Sequence, residues 1–504
     1  MKSPSLKGLC TLAAEIISIL SRSKNLSPIS PSPAQNRSRR VPMEPSDKQP
    51  QHHRAHVLVL PYPAQGHINP MLQFSKRLLC RGVKATLARS TQAGPSPSID
   101  LETFSDGHDL GGHAQAESVE AYQASLRDVG SRTLAELIRK LDRSGQPVDA
   151  VVYDGFLPWA LDVAKQCAKL GVVFFTQTCA VNDIYYHVQR GLLPLPLSGP
   201  RVEVPGLPPL EPSETPSYIH KLGSYPAFYD MLVNQFTNVD DADFVLFNTF
   251  YELEKEVVDW MSANLWPLKT VGPTLPSVYL DKRLPDDTAY GINLFTPTTT
   301  STVSAWLRRH PPRSVVYVSF GSMADLDPSQ FSELAHGLAL AGCPFLWVVR
   351  SSEQHKLPRD LMDSIPSEEA LILPWCNQLE VLASDAIGCF VTHCGLNSVI
   401  EAICLGVPMV AMPQWTDQTT NAKFVEDVWR VGVRARADEA GLVGRDEVER
   451  RVREVVGGGE RGREMAESAR RWMAAAKAAI GEGGSSDRNI DEFVEELMSR
   501  ASIE

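Results

Sequence analysis

The chain has 504 residues, is 43% hydrophobic and carries a formal net charge of -11 at pH 7. Single hydrophobic cores stop growing at about 250 to 300 residues, so this length predicts more than one domain. The negative charge argues against nucleic acid or an anionic membrane surface as the main partner. The sequence has no apolar run long enough to span a bilayer, so we expect no stable membrane insertion.

Residues 1–54 differ in composition from the rest of the chain. Ser and Pro are frequent there, and basic residues far outnumber the one acid of the first forty residues, Glu15. We predict a disordered or targeting extension, with two interpretations open. One is an organelle transit peptide in residues 1–42. The other is a disordered segment, or a start placed too early, with Met43 as the true first residue.

The nine cysteines form no CxxC pair and fit no zinc or disulfide framework. Several lie inside apolar runs, such as Cys389 and Cys404, which indicates reduced and buried thiols. Reduced thiols indicate a reducing compartment, and we predict the cytoplasm. The plastid is the alternative if residues 1–42 are a transit peptide.

The first half of the chain alternates short apolar runs with helical segments. The runs predict strands at residues 56–62, 83–88, 150–153, 172–175 and 244–248. Helices are predicted between them, for example at 70–82 and 159–168. Continuous apolar strands that alternate with helices are typical of a parallel sheet covered on both faces. We therefore predict a first α/β domain at residues 55–265.

Residues 266–300 are rich in Pro, Gly, Asp and Thr and predict a linker. The strand and helix pattern then repeats, with strands predicted at 314–319, 345–349, 371–373, 387–392 and 407–411. We predict a second α/β domain at 301–482, followed within 483–504 by a helix, at 490–498, that returns to the first domain. The two domains should face each other across a cleft, with ligands beyond the carboxyl ends of the strands.

A histidine and an aspartate follow strands of the first domain. His67 comes after the strand at 56–62, near the start of the next helix, where a neutral imidazole can accept a proton. Asp154 follows the strand at 150–153 and can bond the other ring nitrogen. The pair predicts a base and the residue that orients it.

The segment from Trp375 to Gln418 carries the most informative pattern in the chain. An apolar strand at 387–392 runs into His393-Cys-Gly-Leu-Asn-Ser398, and a helix follows. The free N–H groups and the positive dipole end of a helix N-terminus bind anions. We therefore predict that a diphosphate binds near Gly395. Trp375 offers a ring on which a flat heteroaromatic base can stack.

This segment, with its internal spacing, resembles the signature of the plant family 1 UDP-glycosyltransferases. The first strand and His67 also match, so the resemblance extends from about residue 56 to the C-terminus. It implies the GT-B fold, in which two Rossmann-like domains with parallel sheets face each other, and a UDP-sugar donor. It also implies that His67 is the catalytic base, oriented by Asp154. Thr176 follows the strand at 172–175 and either touches a sugar hydroxyl or is a plain strand-end threonine.

The resemblance assigns the donor site to the second domain. Trp375 stacks on uracil, Cys376 contacts the nucleotide through its backbone, Gln378 contacts it as well, and Glu401 accepts the ribose hydroxyls. The residues implied around the diphosphate and the sugar are Ser322, His393, Gly395, Leu396, Asn397, Ser398, Asp417 and Gln418. Leu396 stands where the family usually has Trp. The backbone contact of that position should survive, but the ring that packs beside the sugar is lost.

These features predict an inverting glucosyltransferase that uses UDP-glucose. The acceptor is the hydroxyl or carboxyl of a small lipophilic plant molecule, such as a phenolic, a hormone, a terpenoid or a toxin. The alternative is a nucleotide-sugar-binding protein with little or no turnover. A nicotinamide-dependent oxidoreductase needs a glycine fingerprint directly after a first-domain strand, and the loop after Tyr62 lacks one. We expect no metal cofactor, because helix N–H groups, His393 and Ser398 can stabilise the diphosphate. We also expect a monomer.

Overall fold

The computed structural model describes residues 55–90, 99–292 and 300–501. The extension predicted at 1–54, part of the predicted linker and the last three residues lie outside the described residues. Within the described ranges, no helix has the length and apolar character needed to cross a membrane.

The first domain is built on a seven-stranded sheet in which every neighbouring pair is parallel. Its spatial order is β3-β2-β1-β4-β5-β6-β7, so the winding of the chain reverses between β1 and β4. Ligand clefts of open parallel sheets lie at such a reversal. The strands are β1 (Ala55–Leu60), β2 (Val83–Arg89), β3 (Asp100–Thr103), β4 (Ala150–Asp154), β5 (Leu170–Phe175), β6 (Phe244–Phe247) and β7 (Leu268–Thr270).

The second domain repeats this plan with six parallel strands. Its order, β10-β9-β8-β11-β12-β13, places the reversal between β8 and β11. The strands are β8 (Val315–Ser319), β9 (Phe345–Val348), β10 (Ala370–Leu373), β11 (Ile387–Thr392), β12 (Met409–Ala411) and β13 (Gly432–Arg434). The central strands β1 and β11 are buried along their whole length, as their continuous apolar sequences predict.

Helices connect the strands and cover both sheets. In the first domain they are α1 (Gln65–Leu79), α2 (Val119–Arg143), α3 (Trp159–Gln166), α4 (Cys179–Gln189), α5 (Ser217–His220), α6 (Pro226–Asn234) and α7 (Lys255–Asn264). In the second half they are α8 (Thr300–Leu307), α9 (Pro328–Ala341), α10 (Arg359–Ser364), α11 (Gln378–Leu382), α12 (Leu396–Leu405), α13 (Gln418–Lys423), α14 (Arg445–Val456), α15 (Glu460–Ile480) and α16 (Ser485–Ala501).

Several boundaries differ from those expected from the sequence. The strands β3, β7 and β13 were not predicted, and β7 lies inside the predicted linker, where it pairs with β6 and extends the first sheet. The predicted start of the first helix at residue 70 was wrong, because α1 begins at Gln65 and contains Pro70 in its interior. The last helix begins at Ser485 rather than at residue 490.

The last helix packs against the first domain. The ring of Phe493 lies 6.0 Å from that of Phe74 and 5.0 Å from that of Phe244, measured between centroids. Beside these rings, Lys269 forms ion pairs of 2.9 Å with Glu492 and 3.4 Å with Glu496. The helix therefore joins the end of the second domain to the first sheet.

A buried carboxylate also joins the two domains. Glu214, in the first domain, is 4% exposed and lies 2.7 Å from Arg434 Nη1 and 3.2 Å from Lys423 Nζ, both in the second domain. Burial alone raises the pKa of Glu214, but the Glu211 N–H and the two cations outweigh it and hold the pKa below its ordinary value. The ionised carboxylate therefore stabilises the contact between the domains.

Replacing Glu214 with glutamine should destabilise the protein by about 1–3 kcal/mol at pH 7, because buried cations lose a charged partner. Urea unfolding of both proteins measures the difference. Glu203→Gln, at an exposed position of the same domain, is the matched control and should change stability by less than about 0.5 kcal/mol. Equal unfolding free energies for Glu214→Gln and the parent would contradict this account of the domain contact.

Candidate active site

The imidazole of His67 lies in the first turn of α1, at the carboxyl edge of the first sheet. Its Nδ1 atom is 2.7 Å from Asp154 Oδ2 and 3.0 Å from Thr176 Oγ1. Asp154 is fully buried at the end of β4, and its other oxygen accepts the Phe156 N–H at 3.0 Å. Because Asp154 is the stronger acceptor, Nδ1 carries the proton, and Nε2 is left with a lone pair that can accept one. The structure thus brings together His67, Asp154 and Thr176.

Pro70 explains how the His67 turn meets the second domain. A proline in a helix lacks the N–H that would bond the carbonyl four residues earlier, which here belongs to Gly66. That carbonyl instead accepts a hydrogen bond of 2.8 Å from Asn397 Nδ2 of the second domain. The turn that carries His67 and the start of α12 therefore touch across one shared cleft.

The start of α12 forms the facing wall of this cleft. Cys394 adopts a left-handed backbone conformation with a φ of 64°, Gly395 caps the helix, and Leu396 is its first residue. Burial lowers the pKa of His393 to about 4, and the charge of Arg350 adds to this effect. His393 is therefore neutral at pH 7, and its ring carries one N–H donor rather than a positive charge.

A buried network of polar side chains lies one turn further along α12. The Nε2 atom of Gln378 donates to Glu401 Oε2 at 2.7 Å and to Ser398 Oγ at 3.0 Å. Tyr290, from the predicted linker, donates its hydroxyl to Glu401 Oε1 at 2.8 Å. Burial raises the pKa of Glu401 to about 7, and the bonds from Gln378 and Tyr290 oppose that rise. The carboxylate is therefore held in place by two donors.

The loop after β12 brings a second carboxylate towards the cleft. Thr416 adopts a left-handed conformation with a φ of 55°, and Asp417 follows it at 7% exposure. Burial raises the pKa of Asp417 to about 6, while the Asn421 amide, 2.6 Å away, and the nearby His67 lower it. The side-chain oxygen of Gln418 accepts the N–H groups of Gln414 and Trp415, so its amide nitrogen is the part left for a ligand.

The remaining predicted donor residues line the same region of the second domain. Ser322 follows β8, and Arg350 donates to its carbonyl and to that of Ala324, which fixes this loop. Cys376 is buried, with its sulfur 3.7 Å from the Tyr317 hydroxyl. Trp375 is partly buried against the core.

Comparisons with known proteins match this architecture. A family model described as "UDP-glucoronosyl and UDP-glucosyl transferase" matches residues 228–458. UDP-glycosyltransferase 74F2 of Arabidopsis thaliana is 47% identical over 460 residues, 89% of this chain and 100% of that protein. Flavonol 7-O-beta-glucosyltransferase UGT74F1 of the same plant is 44% identical over 454 residues, 88% of this chain and 99% of that protein. The chain belongs to the UDP-glycosyltransferase family.

A solved structure extends this result to the fold. Os79 from O. sativa, crystallised in complex with UDP, is 43% identical and has a TM-score of 0.82, with 88% of this chain and 100% of that chain covered. The predicted GT-B fold, with two parallel-sheet α/β domains, is confirmed. The prediction of a plant UDP-glycosyltransferase, an enzyme that acts on small molecules, is confirmed as well.

Two aromatic rings lie beside His67 of this UDP-glycosyltransferase. The ring centroids of Tyr62 and Phe156 lie 5.3 Å and 4.6 Å from that of His67. A second pair of rings joins the two domains, where Trp415 of the second domain lies 5.8 Å from Tyr225 of the first, measured between centroids. Tyr62, Phe156, Tyr225 and Trp415 are all partly exposed. Partly exposed aromatic rings offer an apolar surface to a flat molecule.

Glycine at position 395 allows the His393 ring to lie beside the N-terminus of α12. A Cβ added at Gly395 would lie 2.6 Å from His393 Nε2, and one added at Gly321 would lie 2.9 Å from the same ring. Both distances are too short for non-bonded atoms. The two glycines therefore leave the space that the imidazole occupies.

The variant Gly395→Ala should raise KM for the UDP-sugar about tenfold, because the imidazole must move away from the position predicted for the diphosphate. Steady-state kinetics with the donor varied measures the effect. Gly459→Ala is a matched control, since Gly459 also caps a helix, α15, and an added Cβ there meets no atom within 4 Å. An unchanged donor KM in Gly395→Ala would contradict the placement of His393 beside the donor.

Four polar contributors to this site were missed from the sequence: Tyr290, Tyr317, Arg350 and Asn421. Arg350 follows β9, so its position at a strand end was a signal that could have identified it. Tyr290 lies in a segment without periodicity, where nothing local indicates a role. Asn421 links the two loops of the donor wall, because its Nδ2 donates to Cys394 O at 2.9 Å as well as to Asp417.

Proposed function

We propose that this UDP-glycosyltransferase transfers glucose from UDP-glucose, with inversion, to a hydroxyl or carboxyl of a small lipophilic plant molecule. The observation that carries the proposal is the contact between Asn397 Nδ2 and Gly66 O, 2.8 Å across the cleft. It brings the turn that bears His67 against the helix mouth where a diphosphate is expected to bind. A base from one domain and a leaving group in the other are then available to one substrate.

The donor is proposed to lie along the second domain. Trp375 stacks on uracil, the Cys376 backbone and Gln378 contact the nucleotide, and Glu401 accepts ribose hydroxyls. Both amide hydrogens of Gln378 are directed at protein side chains, so its proposed contact to the nucleotide is through the amide oxygen, which also accepts the Tyr317 hydroxyl at 3.2 Å and keeps a second lone pair. The diphosphate and sugar contacts are proposed for Ser322, His393, Gly395, Leu396, Asn397, Ser398, Asp417 and Gln418.

The reaction proposed is a single displacement. His67 Nε2 removes the proton of the acceptor hydroxyl as its oxygen attacks C1 of the glucose. The new C1–O bond forms on the face opposite the diphosphate. The bond between C1 and the diphosphate oxygen breaks, and UDP leaves with that electron pair. N–H groups at the start of α12, the neutral His393 and Ser398 stabilise the charge that grows on the leaving group. These groups supply the stabilisation, so we propose no metal cofactor.

The acceptor proposed is lipophilic and at least partly flat. The aromatic surface of Tyr62, Phe156, Tyr225 and Trp415 supports this class, because such rings bind apolar planar molecules. The flavonol glucosyltransferase described above, as its name states, forms a beta-glucoside, which supports both a phenolic acceptor and inversion. Thr176, whose hydroxyl lies 3.0 Å from His67, is proposed to contact a sugar hydroxyl.

The alternative, a nucleotide-sugar-binding protein with little turnover, depended on Leu396. That residue is 5% exposed and begins α12 as part of the core, so the helix mouth keeps its form without a tryptophan. We therefore favour the enzyme. We also propose a cytoplasmic monomer, and the free thiols of the described cysteines support a reducing compartment. The plastid alternative concerns residues 1–42, which lie outside the described residues.

The test is acceptor-dependent release of UDP. Purified protein is incubated with UDP-glucose and a panel of phenols, carboxylic acids and terpenoids, and UDP and glucosides are quantified. UDP-galactose and UDP-glucuronate serve as matched donors. The proposal predicts glucoside formation with at least one lipophilic acceptor and a higher kcat/KM for UDP-glucose than for the other donors. Tight UDP binding without product from any acceptor would favour the binding protein instead.

A further inference from the structure

Tyr290 belongs to a linker segment, residues 277–292, that is tied to the helix carrying His67. Lys76 of α1 forms an ion pair of 2.6 Å with Asp287 and donates to Ala289 O at 2.9 Å. Arg77, the next residue, lies 2.9 Å from Asp281. All four charged groups are nearly buried, so these ion pairs hold the linker segment firmly on the first domain.

From this anchored segment the Tyr290 side chain crosses to the second domain. Its ring packs against the core, and its hydroxyl donates to Glu401 Oε1 at 2.8 Å. Gln378 occupies the other oxygen, Oε2, at 2.7 Å. Two donors from two different elements therefore fix the plane of the carboxylate. Each carboxylate oxygen can accept a second hydrogen bond, so both can still receive a ribose hydroxyl.

We propose that Tyr290 is a positioning residue for the donor: its hydroxyl holds Glu401 in the orientation that accepts the ribose hydroxyls. This inference rests on the donor site proposed above. Without the tyrosine hydroxyl, the carboxylate keeps a single fixed oxygen and can rotate away from the nucleotide. The loss should therefore appear as weaker binding of nucleotides that carry both ribose hydroxyls.

The environment of Glu401 supports this assignment. The titratable groups that face it are the hydroxyls of Tyr290, Tyr279 and Tyr317 and the thiol of Cys404. Burial raises the pKa of each of these groups, so all of them are neutral at pH 7. Within the part of the chain that the structure describes, the orientation of Glu401 therefore rests on hydrogen bonds from neutral donors rather than on an ion pair.

The experiment measures nucleotide binding by calorimetry with the full chain and Tyr290→Phe, which keeps the ring and removes the hydroxyl. The probes are UDP and 2′-deoxy-UDP, which lacks one ribose hydroxyl. We expect UDP to bind Tyr290→Phe about 5- to 20-fold more weakly, and 2′-deoxy-UDP to lose only about twofold. A merely loosened linker would weaken both nucleotides equally. With saturating UDP-glucose, kcat should stay within about threefold of the parental value.

Tyr279→Phe is the matched control, since Tyr279 lies on the same linker segment and its ring also packs against the core. Among the described residues, its hydroxyl makes no hydrogen bond to Glu401, so UDP affinity should stay within twofold. The inference is overturned if Tyr290→Phe binds UDP within twofold of the parent, or if it weakens both nucleotides equally. Failure of the parental protein to bind UDP would instead overturn the donor site itself.

Discussion

Replacing His67 with alanine is expected to lower kcat for transfer to a hydroxyl acceptor by about 100- to 10,000-fold, the usual contribution of a general base. UDP affinity should change by less than about threefold, because His67 lies in the first domain and the proposed nucleotide contacts lie in the second. Initial rates with saturating UDP-glucose measure the first quantity, and calorimetry with UDP measures the second.

Two comparisons separate the loss of a base from general damage. Asp154→Asn preserves the shape of the side chain but also offers an N–H to Nδ1, so the ring can adopt the tautomer with its proton on Nε2, and kcat should fall. A carboxylate acceptor is already ionised at pH 7, so His67→Ala should slow its transfer by less than about tenfold. Parental rates with hydroxyl acceptors in His67→Ala would refute the assignment of the base.

Replacing Glu401 with glutamine is expected to raise the Kd for UDP by about 10- to 100-fold, because bonds from hydroxyls to a charged acceptor become bonds to a neutral one. The same change should stabilise the ligand-free protein at alkaline pH. Burial raises the pKa of Glu401 from its model-peptide value of 4.5 to about 7, so the folded state resists ionisation of this group. Glu401→Gln should therefore bind UDP more weakly than the parent but have a larger free energy of unfolding.

The pH dependence has a definite sign. Below about pH 4.5 the carboxyl is neutral in both the folded and the unfolded chain, and ionisation costs nothing. Between about 4.5 and 7 the unfolded chain ionises first, so the parent loses stability as pH rises. Relative to the parent, Glu401→Gln should gain on the order of 1–3 kcal/mol between pH 4.5 and 8. Urea unfolding at several pH values measures this gain.

A control and a contrary result complete this test. Glu464→Gln changes an exposed glutamate of α15 in the same domain and should show no comparable pH-dependent gain. If Glu401→Gln bound UDP as tightly as the parent, Glu401 would not be the ribose contact. If its stability relative to the parent did not change with pH, ionisation of the buried Glu401 would not destabilise the folded protein.

The sequence indicated the central strands because they are buried on both faces. β1, β4, β5 and β11 appear as continuous apolar runs of five or six residues, which are too short for a typical buried helix. The edge strand β3, with the sequence DLET, is exposed at both ends. Because its residues are mostly polar, its sequence pattern cannot be distinguished from that of a loop. β7 and β13 are shorter still, with three residues each, and only their parallel pairing with β6 and β12 identifies them.

The start of the first helix was predicted wrongly. It was predicted at Pro70, although α1 begins at Gln65. In the structure Pro70 lies inside the helix, because the unpaired Gly66 carbonyl finds a partner in Asn397, 331 residues away along the chain. No local pattern contains that partner. The same holds for Tyr290 and Glu401, which are 111 residues apart.

Residues that lie within one motif were easier to predict from the sequence. His393, Gly395 and Ser398 follow a strand and begin a helix, and that order alone indicates an anion site. His67 and Asp154 were each placed at a strand end, but their 2.7 Å contact depends on β1 and β4 being neighbours in the sheet. The sequence thus predicts which side chains reach the cleft, and the fold decides which of them touch.

Single displacement across the cleft is tested most directly by the anomeric configuration of the first glucoside formed from UDP-α-glucose. Proton NMR measures this configuration before any product can isomerise. Attack by an acceptor whose proton passes to His67, opposite a diphosphate at the mouth of α12, predicts the β-glucoside alone. An α-glucoside as the first product would contradict the account, because it would require attack from the face that UDP leaves.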